Sequence, residues 1–70
     1  MRTANTHRCR FAVTIRPTDA SPGNSHLWDV DDHVARMAHC GYAPSREVAW
    51  TLALATLRGM IALSRVRNLP

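Results

Sequence analysis

The chain has 70 residues and a net charge of +4, with nine arginines, no lysine and five acidic residues. A chain of this length forms at most one domain, and its core is marginal because it buries only about 60 % of the surface exposed on unfolding. Two cysteines are too few for a disulfide framework and no apolar run follows the N-terminal arginines, so we expect a cytoplasmic protein with reduced thiols.

The N-terminal third of the chain predicts an arm, a strand and a loop. Residues 1–9 are polar and lack periodicity, which predicts a mobile basic arm. In residues 10–16, Phe11, Val13 and Ile15 alternate with polar or small residues, the pattern of a strand with one buried face. Turn formers fill residues 17–25, which are predicted to be a loop.

A first helix is predicted over residues 26–40. Ser25 is a suitable N-cap, and three aspartates lie in the early turns, where the helix dipole favours acidic groups. Gly41 suits the left-handed conformation that ends many helices. The apolar residues at helical spacing are Leu27, Val30, Val34, Met37 and Ala38.

A second helix is predicted over residues 45–67, with a serine cap and a glutamate in its first turn. It is apolar nearly all round, apart from a narrow polar stripe at Thr51, Arg58 and Arg65. A membrane span is the less favoured alternative, because Arg58 interrupts the apolar run and the rest falls short of the roughly 20 residues that a span needs. Since a short chain cannot cover such a helix, we expect a second copy to cover it.

The order of strand, helix, glycine turn and longer helix in a short basic chain resembles the ribbon-helix-helix superfamily, the Arc-repressor type of DNA-binding protein. The resemblance rests on residues 10–17, on the apolar stripe of the first helix and on residues 41–54, "GYAPSREVAWTLAL". It implies a mostly α fold with one N-terminal strand, in which two chains pair their strands in an intertwined homodimer. The loop at 17–25 is longer than in typical members.

The resemblance also implies functional residues. Arg10, Thr14 and Arg16, on the outer face of the ribbon, contact bases in the major groove, while Ser45 and Arg46 contact a phosphate. The chain is then a small dimeric transcriptional regulator whose partners are its own second copy and double-stranded DNA. The implied dimer core comprises Phe11, Val13, Ile15, Trp50, Leu54, Leu57 and Ile61.

A second hypothesis belongs to another class: a small protein of phage or mobile-element type that binds and inhibits a host regulatory protein without DNA activity. The modest net charge and the acidic start of the predicted first helix favour it. Aromatic and arginine side chains dominate protein interfaces, which predicts a docking patch at Trp28, Arg36, His39 and Tyr42.

Neither catalysis nor a cofactor is expected. His26, Asp29 and His33 share a face of the predicted first helix and are possible metal ligands, but no fourth ligand is evident, and a solvated helix start is the simpler interpretation. The histidine–cysteine pairs of the chain lack zinc-finger spacing. His39 and Cys40 are adjacent on the predicted first helix. Because adjacent side chains on a helix diverge by about 100°, these two do not form a catalytic dyad.

Overall fold

A computed structural model describes residues 10–67 and contains three strands followed by one helix. The strands form an antiparallel sheet with β2 between β1 and β3, and the helix packs across one face of this sheet, mainly on β2. The elements are β1 (Phe11–Pro17), β2 (His26–Asp32), β3 (Met37–Ala43) and α1 (Arg46–Arg67).

The predicted fold class, a mostly helical intertwined dimer with one strand, is wrong. Residues 26–40 form β2, a turn and most of β3, where a helix was predicted. β1 pairs with β2 of its own chain, where the ribbon requires the strand of a second chain. The strand predicted at 10–16 and the helix predicted at 45–67 are confirmed to within one residue. The arm predicted at 1–9 lies outside the described residues.

β2 is a strand because its side chains alternate between two environments. Val30 is fully buried under α1 and lies opposite Val13 of β1, while Trp28 packs against the same core from the same side. Asp29 and Asp31 therefore point away from the helix. An aspartate at every second position suits a strand with one wet face.

The turn after β2 is organised by Asp32. Its carboxylate accepts hydrogen bonds from the backbone N–H groups of Val34 at 3.0 Å and Ala35 at 3.1 Å. Arg36 then adopts a left-handed conformation, with φ of 57°. This side-chain capping reverses the chain at the position where a helix would have continued.

The loop between β1 and β2 has a turn chemistry of its own. The N–H of Asn24 donates to the carbonyl of Ser21 at 3.1 Å, and Gly23 between them has φ of 82°, which with the preceding proline makes a type II turn. Ser25, predicted to cap a helix, instead donates its hydroxyl to the carbonyl of Pro44 at 2.8 Å. That bond ties the start of β2 to the end of β3.

α1 begins as the sequence predicted. The Ser45 hydroxyl accepts the N–H of Val48 at 3.2 Å, which is N-cap geometry, and Arg65 and Arg67 lie in the last turn, where the dipole favours cations. Within residues 10–67 there is no helix whose length and hydropathy suit a membrane crossing.

The core between sheet and helix is thin, because three of its five buried apolar side chains are alanines. Larger side chains close it only partly from the rim, namely Phe11, Val13, Ile15, Trp28 and Leu57. Alanine lets the helix approach the sheet closely but contributes little buried area. The core residues are Val30, Ala43, Ala49, Ala53 and Met60.

Candidate functional site

The sheet face turned away from α1 is the candidate functional site, and we call it the open face. Cross-strand pairing places its side chains in three rows running from β1 through β2 to β3. The rows are Arg16–Leu27–Tyr42, Thr14–Asp29–Cys40 and Ala12–Asp31–Ala38.

The first row joins a cation, an aliphatic group and an aromatic ring. Arg16 is exposed, Leu27 is half-buried, and Tyr42 is 48 % exposed. Opposite residues in a sheet lie about 4.5–5.5 Å apart at Cβ, so the three side chains form one contiguous patch. Such a patch offers apolar contact area together with hydrogen-bond donors.

The centre of the open face is acidic. Asp29 and Asp31 lie two residues apart on the central strand, which separates them by about 7 Å along its length. Their neighbours in both rows are uncharged, from Ala12 and Thr14 to Ala38 and Cys40. The open face therefore attracts cationic groups at its centre and disfavours a phosphate backbone there.

Of the three predicted base-contacting residues, two lie on the open face and the third is held in an ion pair. Thr14 and Arg16 are exposed on the open face, as a base-reading surface requires. Arg10 is engaged elsewhere: its Nε and one terminal nitrogen donate to the two carboxylate oxygens of Asp32 at 2.9 and 3.0 Å, and its guanidinium lies 5.2 Å from the centroid of the Phe11 ring. Both contacts make Arg10 a structural residue.

The Arg10–Asp32 ion pair also anchors the start of β1. The N–H of His33 donates to the carbonyl of Arg10 at 2.9 Å, so backbone and side chain both join this strand to the turn. The pKa of Asp32 is lowered from 3.8 to about 2 in all: the hydrogen bonds from Arg10 lower it most, burial opposes them, and the N–H groups of Ala35 and Val34 add to the lowering. The same pairing raises the pKa of Arg10.

This ion pair predicts acid sensitivity. Because the pKa of Asp32 is lower in the folded chain than in the unfolded chain, its contribution to stability is complete above about pH 4 and is lost as the pH falls toward about 2. The free energy of unfolding in urea, measured between pH 2 and 7, should show this loss. In that pH range unfolding should be accompanied by the uptake of about one proton by the chain. Asp32→Asn should lower stability at pH 7 and flatten the acid limb.

Asp31→Asn serves as the matched control for that experiment, since it removes a neighbouring carboxylate from the open face. It should keep the acid limb of the wild type. An unchanged acid limb in Asp32→Asn would contradict the assignment.

The two predicted phosphate contacts lie at the start of α1. The Ser45 hydroxyl is occupied by the N–H of Val48, and Arg46 is exposed. Arg46 begins the helix at the end of the sheet where Arg16 lies, because Pro17, His26 and Ala43 share that end.

The residues predicted to form a dimer core have two different environments. Phe11, Val13, Ile15 and Leu57 pack around the core of their own chain. Trp50 and Leu54 are 39 % and 40 % exposed, and Ile61 is half-buried. The first group contributes to the monomer fold, whereas the second lies along one exposed flank of α1.

The predicted docking patch does not form one surface. Trp28 and His39 lie on the side of the sheet that faces α1, Tyr42 lies on the open face, and Arg36 lies in the turn. The patch was drawn on helical spacing, and the strand pairing separates its members.

The possible metal ligands are separated in the same way. His26 faces the helix side, Asp29 is on the open face, and His33 is in the turn. Among residues 10–67, no three histidine, cysteine or acidic side chains are grouped closely enough to hold a metal ion.

Sequence reasoning missed Leu27 and Asp31 as surface residues of the site and Asp32 as the centre of the turn. The signal for the first two was the alternation of Trp28 and Val30 with Asp29 and Asp31. The ion pair of Asp32 has no local signal, because its partner is 22 positions away.

Comparisons of the chain with protein-family models, curated proteins and solved structures found no match.

Proposed function

We propose that the chain is a small binding module that docks a protein partner on its open face and thereby inhibits or redirects that partner. The observation that carries the proposal is the uncovered Arg16–Leu27–Tyr42 row beside Asp29 and Asp31. Tyrosine and arginine are enriched among the residues that dominate binding energies, and a polar surround is typical of an interface rim.

The chemistry of the open face defines the partner. The Tyr42 ring and Leu27 offer an apolar contact, while the two aspartates offer acceptors to arginine or lysine. A partner surface that combines an apolar side chain with basic residues about 7–13 Å away satisfies both ends of the face. A host regulatory protein with a basic surface fits this description.

The test uses variants of the open face in the whole chain. The tagged protein is purified from its host, co-purified proteins are identified, and the direct affinity of each is measured. Tyr42→Ala and Asp29→Arg should each weaken the specific interaction by about tenfold or more. Ala20→Glu, in an exposed loop away from the rows, should have no effect. If the wild type and the three variants bound the partner with equal affinity, the proposal would be contradicted.

DNA binding is the second candidate, and the exposed Thr14 and Arg16 on one sheet face favour it. Titration of random and promoter duplexes across a salt series tests it. In that case Arg16→Ala should cost about 1–3 kcal/mol at one base position, and Arg46→Ala should lower the salt slope by about one unit for every sequence. If the chain binds DNA, Asp29→Arg should not lower its affinity for the duplex, because the substitution removes a charge that repels phosphates.

A further inference from the structure

α1 carries an apolar stripe on its solvent side, which we call the outer stripe. Its six members are spaced alternately four and three residues apart, the repeat of a coiled-coil seam. Every one of them is exposed, and the two valines and the leucine are 37 %, 64 % and 39 % exposed. The outer stripe consists of Val48, Leu52, Ala55, Gly59, Ala62 and Val66.

The outer stripe is separate from the face of α1 that packs on the sheet. The buried helix residues lie on another face of the helix, turned by about 100° or more from the middle of the stripe, and are Ala49, Ala53, Met60 and Ser64. The apolar groups of the stripe thus add nothing to the thin core of their own chain. The stripe is also distant from the open face, so this inference does not depend on the proposed function.

We infer that the outer stripe is the contact surface for a second copy of this chain, packed antiparallel so that two α1 helices lie back to back with the sheets outside. The stripe is self-complementary about the level of Leu57 along the helix, which is the midpoint between Val48 and Val66. A twofold contact requires this symmetry. Val48 then faces Val66 of the other copy, the larger Leu52 faces Ala62, and Ala55 faces Gly59. A large residue meets a small one on each side of the axis, which permits close packing.

Charge complementarity supports the antiparallel direction. Glu47 and Arg65 lie on the same flank of the stripe, near opposite ends of the helix. In an antiparallel pair, each Glu47 lies within about 3 Å along the axis of the level of Arg65 of the other copy, and symmetry makes this pairing twice. In a parallel pair the twofold axis runs along the helices and brings the flank of Glu47 and Arg65 against the opposite flank of the other copy, so this pairing is not made.

The opposite flank of the stripe carries Leu63. Leu63 is 55 % exposed and lines a shallow groove with Met37 and His39 of β3. In the antiparallel pair it comes beside Leu52 of the second copy, so the contact widens on this side. On the flank of Glu47 and Arg65, Arg58 lies near the twofold axis beside its own symmetry mate, and this contact is repulsive.

The size of the contact sets its strength. From Val48 to Val66 the helix runs about 27 Å, and with a helix diameter of about 10–12 Å each copy presents about 300 Å² of face. This places the contact among small interfaces, so we expect a dimer that dissociates in the micromolar range. Such a dimer also covers apolar surface that a chain with so thin a core leaves exposed.

The first test is Gly59→Glu, measured by sedimentation equilibrium from 1 to 200 µM. A Cβ at Gly59 meets no atom within 4 Å, so the monomer accepts the new side chain, and loss of a mid-helix glycine favours the helix. The dissociation constant of the dimer should nevertheless rise on the order of a hundredfold, because an unpaired charge is buried in the contact next to the twofold axis. Ala20→Glu adds the same charge on a loop and should dimerise as the wild type does.

The second test is a charge exchange. Glu47→Arg and Arg65→Glu should each weaken the dimer by about threefold, and the double variant should restore it. The same exchange on the Gly59→Glu background measures any effect on the fold alone. Arg58→Gln should strengthen the dimer by about twofold.

Three outcomes would overturn the inference. A wild-type chain that remains monomeric at 200 µM removes the dimer, and a Gly59→Glu dimer of wild-type strength removes this surface. If the double charge variant is no stronger than the single ones, the antiparallel direction is wrong.

Discussion

Ala53→Glu is expected to leave the chain unfolded at 25 °C. Ala53 is fully buried where α1 crosses the sheet, and it belongs to the core cluster with Val30 and Met60. A buried unpaired carboxylate costs several kcal/mol, which is comparable with the whole stability of a domain this small. The far-ultraviolet circular dichroism spectrum should lose its helical signal.

Ala55→Glu is the matched control for this experiment. It makes the same substitution two residues further along the same helix, at an exposed position. It should fold and melt like the wild-type monomer, although it should not dimerise. If Ala53→Glu melted cooperatively at the wild-type temperature, the orientation of α1 on the sheet would be wrong.

Gly41→Val should be the second most damaging substitution. Gly41 lies in β3 directly opposite Trp28, and a Cβ built on it would be 2.9 Å from two atoms of the indole ring. Overpacking a closed site costs about 1–3 kcal/mol, and the branched valine should lie at the upper end of that range. Thermal and urea unfolding measure the loss.

Two comparisons separate this clash from a general effect of substitution in β3. Ala38→Val lies in the same strand on the open face and should be tolerated, because β-branched residues suit strands. In a Trp28→Leu background, Gly41→Ala should become neutral or stabilising, since glycine is costly within a strand unless its lack of a side chain is used. A Gly41→Val protein as stable as the wild type would contradict the packing.

The role of Gly41 shows why residues 26–40 were mispredicted. A glycine after an apolar run is typical of a helix end, yet here it leaves room for Trp28 on the neighbouring strand. Val30 is on the buried side in both the period-two and the helical interpretation, so it does not distinguish them. The helical interpretation also rested on Leu27, which the strand places on the open face.

The outer flanks of α1 illustrate a different difficulty. The resemblance to the ribbon-helix-helix superfamily implied that Trp50, Leu54, Leu57 and Ile61 belong to one dimer core. The structure packs Leu57 against its own sheet and leaves Leu54 40 % exposed, because residues three and four apart lie at different angles to the sheet. When a helix is apolar nearly all round, its sequence does not indicate which face packs against the sheet of the same chain.

Local sequence is enough to predict β1, the loop at 17–25, and α1 with its Ser45 cap and its polar stripe. Each of these depends on interactions within a few residues: alternation, backbone freedom at glycine, or a hydroxyl that reaches an N–H three positions on. The strands at 26–32 and 37–43, in contrast, form through tertiary contacts. These contacts depend on pairing between distant segments: the Arg10–Asp32 ion pair spans 22 positions and β1 lies opposite β2 in a register that no local pattern contains. The open face follows from the same pairing, since its rows bring together residues from three strands.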